Sequence, residues 1–442
     1  MSDTVYWIWL ANCLGAGNRK LHYLLDRYSS PYDIFRAESE EIDHLDLSNR
    51  LKDLINKKDT KEAYAINDYC AVHNIGIITY ASEYYPAKLR SIPNPPAVLY
   101  FRGQLPNTND FVSIGVVGTR KMSEYGKRSA YKIAYELASA GVTVVSGMAL
   151  GVDAVAACGA IRGGGKTIAV LGTGVDVVYP PQHNRIYEKI IENGAVISEY
   201  PPTTEPRRGH FPLRNRIISG ISNGTLVVEG DMKSGALITA DFAIEQGKDI
   251  FALPGNLDSK NSYGTNKLIS NGATIITCTE DILKSYEFYY GKTINFLKLS
   301  MAKSHSQLDE AALESMGICK RGNYEKDAGE KRESEIEVSR GNILRPRRMP
   351  KVKNTENMPS TLPEKEKYKK EDISNQPTAE AELAALDEHE REMFLAMPDD
   401  RAVSIDAMMR LGYSCSDVMG TLAMLEIKGL ISSLPGGLYI KN

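Results

Sequence analysis

Between Phe111 and Ile276, short apolar runs alternate with longer segments of helical periodicity. The runs fall at residues 114–117, 142–145, 167–171, 195–198, 225–228, 250–252 and 274–276. Helices are predicted between them, near 124–139, 152–161, 184–192, 213–219, 236–246 and 266–270. The strands are apolar without in–out alternation, so they need cover on both faces. A chain that alternates strand and helix supplies that cover as a doubly wound, mostly parallel α/β sheet. Ligands of such sheets bind outside the carboxyl ends of the strands, near the point where strand order reverses. Here those ends lead into Gly118-Thr119-Arg120, Ser146-Gly147-Met148, Gly172-Thr173-Gly174, Glu199-Tyr200-Pro201 and Glu229-Gly230-Asp231.

The flanks differ in kind. Residues 1–90 read as small helices, with Trp7, Leu10 and Leu14, then Leu21, Leu24 and Leu25, at helical spacing. Leu14-Gly15-Ala16-Gly17-Asn18 resembles the hairpin of a helix-hairpin-helix, whose N–H groups can face a phosphate or serve only to pack. Ile92-Pro93-Asn94-Pro95-Pro96 is a rigid connector into a short strand near 97–101, opening a core that runs over 91–286. Residues 287–376 are rich in Lys, Glu, Ser and Asn and are expected to form a disordered linker. A basic knot, Arg345-Pro346-Arg347-Arg348, lies within it. Over 377–442, Ser404 is placed as the cap of a short helix, Ser416 at the start of a second, and Pro435-Gly436-Gly437 in a β-hairpin. That order makes a winged helix. Its second helix shows Asp417, Met419, Thr421, Met424, Glu426 and Lys428, little for a duplex to meet, so a protein partner fits it at least as well as DNA.

Net charge is −3, so any polyanion surface must be local. Arg207-Arg208-Gly209-His210-Phe211-Pro212-Leu213-Arg214-Asn215-Arg216 is such a patch: four arginines, no acid and one aromatic ring suited to base stacking. Charge alone leaves a solvated loop equally open. Arg120, just before a helix start, opposes the helix dipole and so calls for a purpose. Gly163-Gly164-Gly165-Lys166-Thr167 is not a phosphate-binding P-loop, because it leads into a strand and has Ala160 where the pattern needs glycine. No dinucleotide fingerprint, nucleophile–base set or metal motif is evident. Ser146, Asp153, Glu199 and Glu229 stand near strand ends, and carboxylates beside buried arginines more often orient those arginines than do acid–base chemistry. The six cysteines are scattered, no apolar run is long enough to span a membrane, and no signal peptide opens the chain, so a cytoplasmic protein is expected.

The sequence resembles the DNA-processing protein A (DprA, also called Smf) family of bacteria. The likeness rests on Gly118-Thr119-Arg120, on residues 146–153, on Gly172-Thr173-Gly174 through Pro180, and on Ser198-Glu199-Tyr200-Pro201. It continues through Phe211–Gly220, Ser234-Gly235-Ala236 and Ala252-Leu253-Pro254-Gly255. Leu150 stands where the family usually has Arg, and Gly230 where it usually has Ala. The resemblance implies an extended Rossmann-like core with a SAM-like helical domain before it. It implies a non-catalytic, cofactor-free recombination mediator that binds single-stranded DNA, forms a homodimer and loads RecA recombinase during natural transformation. In these terms Gly118, Thr119, Arg120, Arg208, Phe211, Arg214, Asn215 and Arg216 would contact the strand. Ser146, Gly147, Gly172, Gly174, Glu199, Glu229, Ser234 and Gly235 would support the pocket, and Asn266, Leu268 and Ile269 would lie at the dimer surface. The alternative is a Rossmann-fold enzyme such as a nucleoside-monophosphate phosphoribohydrolase, although residues 229–235 lack that class's loop motif.

Overall fold

The computed structural model describes residues 3–318, 388–397, 403–404, 408, 418, 421–422, 424–425, 428, 430–434 and 438–441. The chain divides into two units, residues 1–338 and 339–442. In the first unit, the described residues form one nine-stranded sheet ordered β1-β2-β6-β5-β4-β3-β7-β8-β9. Its strands are β1 (Gly76–Thr79), β2 (Val98–Gly103), β3 (Ser113–Val117), β4 (Thr143–Ser146), β5 (Thr167–Val170), β6 (Gly194–Ser198), β7 (Gly224–Val227), β8 (Asp249–Ala252) and β9 (Thr274–Ile275). β3 through β9 are parallel, and β1 and β2 join antiparallel at the β6 side. The chain winds outward from β3 to β6 and then returns to place β7 against the other side of β3. The switch point therefore lies between β3 and β7.

Both faces of the sheet are covered, which is why its strands read as unbroken apolar runs. On one face α8 (Glu124–Ser139), α9 (Val152–Arg162) and α10 (Asn184–Asn193) pack Leu137, Val155 and Ile190 over Ile114, Val116 and Val144. On the other, α7 (Ala87–Arg90), α11 (His210–Ile221), α12 (Gly235–Glu245) and α13 (Tyr263–Ser270) pack Leu89, Ile217, Ile218, Ile221, Ala240 and Leu268 over Val117, Val145 and Ile168. Successive strand residues point to opposite faces, so 114 and 116 meet one layer and 117 the other.

Two expectations need correction. Residues 76–79 are strand, not helix, because Ile77 and Ile78 find antiparallel partners in Tyr100 and Leu99 of β2. The N-terminal helices α1 (Asp3–Leu14), α2 (Leu21–Leu25), α3 (Pro31–Arg36), α4 (Ser39–Asp43), α5 (Asn49–Asn56) and α6 (Lys61–Val72) share a core with Val98 and Tyr100. No break in packing falls at residue 90.

The second correction concerns the start of the linker. Residues 287–318 fold onto the sheet's helical layer as α15 (Glu287–Tyr290), α16 (Phe296–Ala302) and α17 (Glu310–Ser315), after α14 (Thr279–Lys284). Ile294, Leu299, Leu313, Met316 and Ile318 join the main core. Their polar companions are used as well. Buried Glu136 on α8 accepts from Thr279 Oγ1 at 2.5 Å and Ser306 Oγ at 2.7 Å, and Lys127 on α8 pairs with Glu310 at 2.5 Å. The remainder of the expected linker, with the Arg345–Arg348 knot, lies outside the described residues.

In the second unit, a helix at Glu388–Ala396 and a sheet ordered β10-β12-β11 enclose Met393, Met397, Val403, Met408, Val418, Leu422, Leu425 and Ile431. β10 (Val403–Ser404) pairs with β12 (Leu438–Lys441), and β11 (Ile431–Leu434) pairs with its other side. Ser404 is the last residue of β10, and most of the helix it was expected to cap lies outside the described residues. Thr421 is buried, whereas Met424 and Lys428 are exposed as expected. Among the described residues no helix is long and apolar enough to cross a membrane.

Leu313→Ala separates a packed segment from a solvated one. Truncating a core leucine costs about 2–5 kcal/mol. Urea unfolding of the variant should show a loss of that size, where a leucine in a solvated linker would show almost none.

Candidate nucleic-acid interface

The carboxyl ends of β3, β4, β5, β6 and β7 face the start of α11, and that start divides its arginines by depth. Arg207 and Arg208 precede the helix and are exposed. His210 begins it, so the expected loop is already helical from that point. His210 Nδ1–H donates to the Gly172 carbonyl at 3.0 Å, and its ring stacks on Tyr200 at 4.0 Å and 18°. This stack fixes where Phe211 can go. A Cβ on Gly172 would come within 2.9 Å of the Phe211 ring, so the missing side chain there makes the room the ring occupies. Phe211 is half-buried, with Tyr179 5.3 Å away between ring centroids. The guanidinium of Arg120, exposed at the end of β3, stands 5.9 Å from the Phe211 centroid, inside cation–π range.

Arg214 and Arg216 point inward. Arg214 is 4% exposed and donates Nη1–H to the Gly147 carbonyl at 2.8 Å and to the Val170 carbonyl. Gly147 allows this approach, since a Cβ there would lie 2.5 Å from the guanidinium. Burial pulls Arg214 down to about 10, with Asp153 opposing and the charge of Arg120 adding to the fall. It remains a cation near neutrality. Asp153 is its buried counter-charge: burial raises that carboxyl, while Arg214 and the N–H groups of Ala149 and Gly147 oppose. Arg216 is fully buried and donates Nη2–H to Glu199 Oε1 at 2.6 Å; its Nε and Nη1 have no partner. These two expected strand contacts are therefore corrected. The helical period turns both side chains into the protein, Arg214 beneath the edge and Arg216 towards Glu199.

The supporting residues hold the loops in place. Thr119 N–H donates to the Glu229 carbonyl at 2.8 Å, so Gly118-Thr119-Arg120 is tied across the switch point. The Glu229 carboxylate accepts from Ser123 N at 2.8 Å, Ser123 Oγ and Asn261 Nδ2 at 3.3 Å, capping the approach to α8 rather than an arginine. Ser146 Oγ–H donates to the Val116 carbonyl at 2.7 Å. Gly174 N–H donates to the Thr204 carbonyl at 2.9 Å. Half-buried Asn215 accepts from Arg214 Nε at 3.2 Å and donates to the Gly235 carbonyl at 3.3 Å, and Ser234 caps α12. The N-terminal hairpin turns one of its N–H groups inward: Gly17 donates to Glu199 Oε1 at 3.3 Å. At the expected dimer surface, Asn266 clamps Gly255 through both amide atoms and Leu268 is buried in its own chain's core, which leaves half-buried Ile269 nearest the outside.

Sequence reasoning gives no role to Tyr179 or His210, whereas Asp153 is among the carboxylates expected to orient an arginine. Tyr179 is visible in the sequence only as an aromatic in the loop that follows β5. The inward turn of His210 and the burial of Asp153 within the field of Arg214 depend on contacts far along the chain.

Two predictions follow from burial. Arg216→Ala leaves Glu199 without its cation, and breaking a buried pair costs about 3–5 kcal/mol. Denaturant unfolding should register that loss. His183 and His210 both sit below their ordinary value of 6.5, chiefly through burial. The unfolded chain takes up their protons first, so stability is fully present above pH 6.5 and falls as pH drops below it. Melting temperatures measured from pH 7.5 to 5.5 should fall, and the fall should shrink in His210→Gln.

The arrangement can meet a chain of phosphates with exposed guanidiniums and a planar ring with Phe211. The chain as a whole is similar to known proteins. Residues 76–287 match the family model described as DNA recombination-mediator protein A, and residues 377–437 match the DprA winged helix domain. The chain is 36% identical over 293 residues to Protein Smf of Synechocystis sp., covering 64% of this chain and 73% of that protein. It is 41% identical over 210 residues to DNA processing protein DprA of Bacillus subtilis, covering 48% and 71%. The X-ray structure of DNA processing protein A from Streptococcus pneumoniae superposes with a TM-score of 0.56 at 32% identity, covering 64% of this chain and 98% of that one.

Proposed function

The chain belongs to the DprA/Smf family of DNA recombination mediators, and on that premise we propose that the edge around Phe211 binds single-stranded DNA. The observation that carries this reading is Phe211 itself. It is a half-buried ring, positioned by Gly172 and the His210–Tyr200 stack, with Tyr179 beside it and Arg120 over it. A base needs such a platform, and only an unpaired base offers its face to one. Arg120, Arg207 and Arg208 neutralise phosphates on either side. Arg214 adds charge from beneath without touching the strand. No base edge is read by this set, so binding is tolerant of sequence.

The protein acts on the strand without chemistry of its own, as a homodimer that hands DNA to a RecA-type recombinase. The family resemblance supports this finer reading. Exposed Ile238, Ile244 and Ile275 and half-buried Ile269 are the apolar residues a dimer contact would use. The winged helix, with exposed Met424 on its second helix, is assigned to protein contact.

Fluorescence anisotropy with a labelled oligo-dT tests the site. Losing a base stack is worth about 1–3 kcal/mol, so Phe211→Ala should bind roughly fivefold to a hundredfold more weakly. Arg120→Ala and Arg208→Ala should weaken binding and flatten its dependence on salt, since each phosphate contact contributes about 0.7 to the slope of log affinity against log salt. Equal affinities in wild type, Phe211→Ala and Arg120→Ala would exclude this edge. Recombinase filament growth on a strand already coated by a single-strand-binding protein tests the hand-over, and should accelerate with wild type but not with Phe211→Ala.

A further inference from the structure

The opposite end of the sheet carries a groove that the strand edge leaves unused. It has a volume of about 580 Å³ and lies at the amino end of β5, between the last turns of α8 and α9 and the helix α16. Gly163-Gly164-Gly165 lines it, and two of these glycines are required there. A Cβ on Gly163 would lie 2.4 Å from the Tyr135 carbonyl, and one on Gly165 would lie 2.4 Å from that of Ala138. The bare turn lets the ends of α8 and α9 meet, and Gly164 faces open space. Lys298, Met301, Ala302 and His305 form the other wall. That wall lies past residue 287, where the recombination-mediator match ends, so the match gives the groove no role.

Charge decides what the groove can hold. Lys166 and Lys298 line it, both exposed, and no acidic residue does. Among the described residues neither ammonium has a hydrogen bond or an ion pair. The ends of two helix dipoles favour cations at this place, and lysines there ordinarily serve the last carbonyls. Here those carbonyls have other partners. Gly141 N–H donates to Ala138, Gly164 N–H to Ile161, Gly165 N–H to Ala160, and Ser139 Oγ–H to Gly163. The N–H groups of Gly164 and Gly165 are spent in these bonds, so the turn cannot cradle an anion as a P-loop does. The charge available to a ligand is that of the two lysines.

The rest of the wall is apolar. Tyr135 is half-buried, with Tyr131 at 6.1 Å between ring centroids, and Met301 is 66% exposed. A solvated pair of lysines needs neither. A planar ring uses both, the one for its flat face and the other for its adaptable thioether. The volume is within the roughly 300–1,000 Å³ of small-ligand sites and exceeds what a bare phosphate fills.

We propose that this groove binds a nucleotide, as a nucleoside diphosphate or triphosphate. Lys166 and Lys298 donate to its phosphate oxygens, and its base packs on Tyr135 and Met301. His305 lines the same wall, its ring held by Nδ1–H on the Met301 carbonyl at 3.2 Å. No base edge is read by this set, so ADP serves as a probe of the class. The inference stands apart from strand binding at the Phe211 edge.

Isothermal titration of the full chain with ADP, adenosine and inorganic pyrophosphate tests it. ADP should bind more tightly than either fragment, because only ADP meets both the cations and the apolar wall. Lys166→Ala and Lys298→Ala should each weaken ADP roughly fivefold or more, the loss of a hydrogen bond to a charged group. Their melting temperatures should match that of wild type, since neither lysine has a partner to lose. Met301→Ala should weaken ADP and leave pyrophosphate unchanged. No heat with ADP, or unchanged affinity in both lysine variants, would overturn the assignment. Adenosine or pyrophosphate binding as tightly as ADP would overturn it too. Phe211→Ala should bind ADP as wild type does, and weaker binding there would move the nucleotide to the strand edge. Lys166→Ala should keep its affinity for oligo-dT. A loss of that affinity, with displacement of ADP by oligo-dT, would make the occupant a strand backbone and end the nucleotide reading.

Discussion

The contact between Arg216 and Glu199 joins more of this structure than any other single interaction described. Glu199 follows directly on β6, Arg216 lies on α11, and Gly17 of the N-terminal hairpin donates to the same carboxylate oxygen. The Arg216 carbonyl accepts from Gln246 at 2.9 Å, just past α12. Two charges taken out of water are costly, and their attraction offsets that cost only when the geometry is kept. The pair therefore holds four pieces of chain to one arrangement. The same arrangement sets the azimuth of α11, and hence the direction in which Phe211 faces.

That azimuth explains how one short stretch can be at once a structural element and a binding surface. Phe211, Arg214, Ile218 and Ile221 follow one another at spacings of three and four, so they share a helix face. The face is apolar where it meets the sheet, at Ile218 and Ile221, and carries Arg214 and Phe211 where the sheet ends. Arg216 belongs to another face and meets Glu199. The residues left for solvent, Arg207 and Arg208, precede the helix and escape its period. Charge density in the sequence thus overstates the cationic surface: the stretch has four arginines, but two of them are inside.

The sheet was legible because burial on both faces leaves an uninterrupted apolar signal. Every strand from β3 to β9 lies close to an apolar run, and the long helix α8 is marked by Ser123 at its cap. What escaped was whatever depended on distant partners. β1 has only four residues and owes its conformation to β2. Residues 287–318 place Ile294, Leu299, Leu313 and Met316 among many charged neighbours, so their mean composition resembles a tether; packing against α8 and α9 gives them order. In the candidate site, the residue types named loops that the fold brings to one edge of the sheet, but depth did not follow from type. Nothing in the spacing of Arg214 and Arg216 alone tells which cation meets Asp153 or Glu199.

The antiparallel attachment of β2 to β6 also has a consequence for how the chain is made. Val98–Gly103 is synthesised long before Gly194–Ser198, and Gly17 emerges 182 residues ahead of the glutamate that fastens it. At about 5–20 residues per second, that interval is roughly 9–36 s. Through it the N-terminal helices carry Tyr100 and the hairpin without the strand that completes their sheet. Contacts so far apart in sequence form late and slowly. The amino-terminal part, though first to leave the ribosome, must therefore wait for β6 before its sheet edge and hairpin can be fastened.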